Sequence, residues 1–201
     1  MAQQKTHILS VDCKTDGIGG PCFWIAAVVA KKQDDHWKKE FNGIVDLSNP
    51  NPLLDNITKE TTGRYAIECI NLSKDDRRNP AVYTTYTDLW NGFWDFYFEH
   101  RDFCDVIHDC PYYAVENLFT TCATLHPHVR KFQCPPQLLN IASMLVIRNQ
   151  YSNLNREAFL ARNNCSFVPA FWNEKSQDPL AGALTTLSIY YFMTQPSRQR
   201  E

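Results

Sequence analysis

The feature that most constrains this chain is the stretch LSVDCKTDGIGGPCFWIAAVVA, residues 9–30. Two apolar runs flank a turn made of acidic residues and glycines. Ile8, Leu9 and Val11 favour extended backbone, so residues 7–13 read as a strand. Residues 22–30, CFWIAAVVA, read as a second strand. The polar run KKQDDH turns the chain, and WKKEFNGIVDL returns it as a third strand with some alternation. Three strands in succession predict an antiparallel meander.

Beyond the meander the pattern changes. A proline-rich loop, NPNPLLDN, precedes a possible short helix within residues 57–70. Residues 85–101 are the clearest helix: Leu89, Phe93, Phe96 and Tyr97 recur at helical spacing, and Thr87 or Asp88 can cap it. DVIHD is a short buried strand, followed by a helix that begins near Pro111. Residues 137–147 read as a strand end feeding a helix, residues 155–163 as a short helix capped by Asn153 or Asn155, and residues 178–193 as an amphipathic helix with Pro179 in its first turn. Strands first, then strands alternating with helices, predict an α/β domain with a mixed sheet. Residues 1–194 read as one domain and residues 195–201 as a polar tail.

A length of 201 residues suits one domain with a core. The net charge of -2 supplies no general basic field for nucleic acid, although a local groove is compatible with it. No apolar run is long enough to span a membrane, and the first ten residues do not read as a signal peptide. The eight cysteines are scattered, with no C-x-x-C pair, which favours reduced thiols in the core over zinc or disulfides. A reducing, cytoplasmic setting is the expectation.

Chemistry would sit where strand ends bring carboxylates together. Asp12 ends the first strand and Asp109 ends DVIHD. If those strands are neighbours, both carboxylates enter one cleft. Such a pair suits Mg²⁺ or Mn²⁺, which prefer oxygen ligands. Two such ions can hold the attacking water and leaving oxygen of a phosphodiester.

With these residues in view, the chain resembles the DEDD-type (DnaQ-like) 3'–5' exonucleases of the ribonuclease H-like fold, in particular compact bacterial and viral exoribonuclease-like members. Three stretches carry the resemblance in order: VDCKTDGIGGPCFWIAAVVA, DVIHDCPYYAVENLF and QDPLAGALTTLSIYYF. It covers nearly the whole chain and implies a mixed five-stranded sheet flanked by helices. The departures fall at the functional positions. Lys14 stands where the family has Glu, Gln177 where it has the general-base His, and Gly182 where it has the last metal-binding Asp. Asp12 keeps the first acid, while Asp109 and Glu116 compete for the role of the second-motif acid.

Physically, these changes remove two metal ligands and the base. Lys14 adds a positive charge that opposes an incoming metal, on the order of several kcal/mol within about 4 Å. It could also satisfy Asp12 directly. Gln cannot take a proton from water near neutral pH, but it can still hydrogen-bond phosphate oxygens. The resemblance therefore implies a catalytically impaired relative, with no catalytic residue and no cofactor expected. Asp12, Lys14, Asp109 and Gln177 form the nucleotide-binding set, and Asp12 and Asp109 a weak residual metal site. The implied partner is single-stranded nucleic acid or a nucleotide, or alternatively a protein partner or second copy of the chain. The competing reading is an active exonuclease with a rearranged site that uses Mg²⁺ or Mn²⁺, with Asp16, Asp178, Glu116 or His108 in the vacated space and Asp16 the most plausible spare.

Two further stretches invite functional readings. LHPHVRKF offers His126, His128, Arg130 and Lys131 for metal or phosphate, but a polar loop after a helix accounts for it more simply. Trp90, Phe93, Trp94, Phe96, Tyr97 and Phe98 could stack bases or meet a partner, but helical spacing favours a core role for most.

Overall fold

A computed structural model describes residues 5–15, 20–33, 37–46, 80–110, 113–147 and 178–194. The meander is present: β1 (His7–Thr15), β2 (Cys22–Lys31) and β3 (Trp37–Val45) pair antiparallel in sequence order. The short β4 (Ala81–Tyr83) adds to β3 in parallel. Helix α1 (Tyr86–His100) leads to β5 (Cys104–His108), which lies parallel to β1. Helices α2 (Ala114–Leu125) and α3 (Pro127–Arg130) precede β6 (Leu138–Asn140), which extends the sheet beside β5. Helix α4 (Ile141–Ile147) follows β6 directly, and α5 (Pro179–Thr194) closes the described chain.

The sheet is mixed and has six strands, in the order β4-β3-β2-β1-β5-β6. This corrects the expected five. The sixth is the three-residue edge strand β4, too short to show a period in sequence. The expected strand end at 137–147 is present as β6 running into α4, with Asn140 Oδ1 accepting the Ser143 N–H at 3.1 Å. The helices expected within 57–70 and at 155–163 fall outside the described residues.

The sheet carries apolar side chains on both faces. Leu9, Val11, Phe23, Ile25, Val106, Phe93 and Leu118 belong to one buried cluster, under α1 and α2. Ile8, Ala26, Val28, Ile107, Ile141, Leu184 and Leu187 form the other, under α4 and α5. Strand β2 is buried along all but its last residue, as an uninterrupted apolar run in a central strand should be.

Two details differ from sequence expectation. Helix α1 is capped by Thr85, two residues before Thr87 and three before Asp88; its hydroxyl accepts the Asp88 N–H at 3.1 Å. Helix α5 is not amphipathic: it is buried nearly all round, from Pro179 to Met193. Three of its hydroxyls turn onto the helix's own carbonyls, Thr186 Oγ1 to Gly182, Ser188 Oγ to Leu184 and Thr194 Oγ1 to Tyr190, while buried Thr185 Oγ1 has no hydrogen-bond partner.

Candidate functional site at the β1 and β5 strand ends

β1 and β5 are parallel neighbours, with Val11 beside His108. The sequence expected Asp12 to end its strand, but β1 runs on to Thr15; Asp12 is the first β1 residue beyond the pairing with β5, and Asp109 is the first residue after β5, so the two acids lie at the same end of that pair. Asp12 and Lys14 share a face of β1 because side chains alternate. That face also carries Ser10, whose hydroxyl donates to the Ala183 carbonyl at 2.7 Å and ties β1 to α5.

Asp12 is buried. Its Oδ1 accepts the backbone N–H of Cys13 at 2.7 Å and the thiol of Cys110 at 2.8 Å. Its carboxyl group lies against the backbone of Gly182. A Cβ at position 182 would overlap Asp12 Oδ2 and stand 2.7 Å from its Cγ. This packing requires glycine at 182, which makes the space that Asp12 fills. Lys14 is half-buried on the same face, but neither of these Asp12 hydrogen bonds comes from it.

Asp178, adjacent to the expected base position, caps α5: its Oδ1 accepts the Leu180 N–H at 2.8 Å. Gln177 and Asp16 lie outside the described residues. Asp109 is half-buried just past β5.

On the opposite face, His108 is fully buried, and its Nε2 is 3.3 Å from Glu116 Oε1 on α2. The alignment falls short of a hydrogen bond, and neither ring nitrogen has a hydrogen-bond partner. Burial pushes the imidazole below its ordinary titration range, against the opposing pull of the Glu116 and Asp12 carboxylates. The ring is therefore neutral at pH 7. Glu116 sits in the first turn of α2, where a carboxylate also suits the helix N-terminus. That helix starts from Tyr113, an exposed non-glycine residue at φ 56°.

Sequence reasoning missed the thiols. Cys13 and Cys22 face each other with sulfurs 3.5 Å apart, and Cys110 reaches Asp12. The available signal was position: Cys13 and Cys110 each directly follow an Asp, at 12 and 109, and Cys22 opens β2. All six described cysteines are free thiols, five of them buried.

The other candidates resolve into packing. Arg130 is buried, donates to the Cys122 carbonyl at 3.2 Å and lies 5.0 Å from the Trp94 ring centroid, while His126 and His128 are exposed. Trp90, Phe93, Trp94 and Tyr97 are core; Phe98 is exposed beneath the Arg101 guanidinium.

Among the described residues, no group of three or more His, Cys, Asp or Glu side chains could hold a metal ion. Among the described residues, Asp12 has its carboxyl wedged against Gly182, and Gly182 brings no side-chain oxygen. No protein-family model matches the chain, and no curated protein matches it.

Proposed function

We propose that this chain is a catalytically silent relative of the 3'–5' exonucleases of the ribonuclease H-like fold, holding a nucleotide or nucleic-acid end at the β1 and β5 strand ends without cutting it. The fold part of this reading is supported by the sheet itself. The meander β3-β2-β1 continues into parallel β5 and β6, with helices on both faces and with Asp12 and Asp109 each just past the β1–β5 pairing.

The loss of catalysis rests on one observation above the others, the commitment of Asp12. A metal-binding carboxylate must present lone pairs outward. Here Oδ1 is taken by a backbone N–H and a thiol, and Oδ2 lies against Gly182. The acid has become an internal tie between β1, the chain after β5 and α5. Lys14 then supplies the cation for a phosphate, and Asp109 a hydrogen-bond acceptor at the same edge.

The test is degradation of labelled single-stranded RNA and DNA with Mg²⁺ and with Mn²⁺, alongside fluorescence anisotropy of the same oligonucleotides. The expected result is no turnover together with binding that Lys14→Ala weakens. Turnover that vanishes in Asp12→Ala overturns the reading.

The rearranged, active exonuclease has one observation in its favour, the neutral His108 beside Glu116. A neutral imidazole next to a carboxylate is a competent proton acceptor. Its ring, however, is fully enclosed between β5 and α2, so substrate could reach it only by displacing that helix.

A further inference from the structure

We infer that Cys13 and Cys22 form an oxidisable pair, converted by a hydroperoxide into a cross-strand disulfide between β1 and β2. Nothing in the nuclease reading requires this, and it stands or falls separately.

Three observations carry it. The two sulfurs are already 3.5 Å apart, so bond formation needs only a small closing movement at the ends of two paired strands. The register there is irregular, with a shift between Lys14 and Thr15, which gives the backbone local room to adjust. Cys22 also lines a surface cavity of about 350 Å³, bounded by Gly20, Pro21, Trp90, Asn117 and Thr121. A peroxide molecule fits easily in that space. Cys13 does not line that cavity, and Cys110 is engaged with Asp12.

The chemistry balances in two steps. Cys22 sulfur attacks one peroxide oxygen, the O–O bond breaks, and the products are a sulfenic acid and water or an alcohol. Cys13 sulfur then attacks the Cys22 sulfur; the S–O bond breaks, the hydroxyl leaves with the Cys13 proton as water, and the S–S bond forms. Two thiols are oxidised and one hydroperoxide is reduced. A hydrogen bond from Cys110 lowers the Cys13 thiol, but the Cys22 thiol and burial outweigh it and hold it well above its ordinary titration range.

Trypsin provides a direct readout, because cleavage after Lys5, Lys14 and Lys31 places Cys13 in peptide 6–14 and Cys22 in peptide 15–31. The native full-length protein is treated with millimolar hydrogen peroxide, its remaining thiols are alkylated, and it is digested without reduction. The expected product is peptide 6–14 linked to peptide 15–31, with an intact-mass loss of about 2 Da that dithiothreitol reverses. Cys22→Ser abolishes this species, while Cys134→Ser leaves it in full yield. Circular dichroism of each variant checks that the fold is kept. The inference is overturned if the linked peptide fails to form in the native wild-type protein, if Cys13 links instead to Cys110, or if Cys13 pairs indiscriminately as it would in guanidinium.

Discussion

At the residue scale the decisive contact is Asp12 against Gly182, and it makes a pairwise prediction. Gly182→Ala should cost about 1–3 kcal/mol, because the new methyl must displace a buried carboxylate that holds two hydrogen bonds. In an Asp12→Ala background the same change should cost far less, or even stabilise, since alanine in a helix is worth up to about 1 kcal/mol over glycine. Urea unfolding of the four proteins measures the coupling, and additivity within about 0.5 kcal/mol would refute the contact. His108 makes a second prediction. Its folded titration range lies below the unfolded value of 6.5, so between the two the unfolded chain binds more protons. Stability should therefore be fully present above pH 6.5 and decline as pH falls below it, by at most about 1.4 kcal/mol per pH unit for this one group. His108→Gln should flatten that part of the profile. Neither effect was legible in sequence. Nothing local to position 182 says that Asp12 packs against it, and nothing local to position 108 says that its ring meets Glu116 across a helix–strand contact.

At the scale of elements, most of the reading came through because local chemistry decides it. Strands β1 to β3 follow from β-favouring apolar runs separated by turns, and α1 follows from its 3.6-residue stripe. The cap of α1 moved by two residues because capping depends on a hydroxyl accepting the N–H three positions on, and Thr85 has that geometry towards Asp88. Thr85→Ala should lower stability by about 1 kcal/mol, whereas Thr87→Ala should change it little; thermal melts of the two variants separate the assignments. Helix α5 shows where sequence pattern misleads. It reads as amphipathic, yet Thr186 and Ser188 return their hydroxyls to the helix backbone and the element is buried on nearly every side.

At the scale of the whole molecule, the two-faced sheet puts the thiols of Cys104 and Cys122 beyond solvent. Burial pushes both Cys104 and Cys122 up to about 12. Iodoacetamide at pH 8 should therefore leave both unlabelled in the native protein and label both in guanidinium, as read by peptide mass mapping. Labelling of either at native-state rates equal to those in denaturant would show that the core opens. No helix among the described residues is long and apolar enough to cross a membrane. By itself the sequence determined the meander, the main helices and the order of β5 and β6, because each depends on residues close together in the chain, but not the edge strand β4 or the end of β1. Only the tertiary structure decided what Asp12 does. Asp12, Cys110 and Gly182 lie far apart in sequence, and whether a carboxylate faces a metal or fills the space above a glycine depends on how three elements close around it.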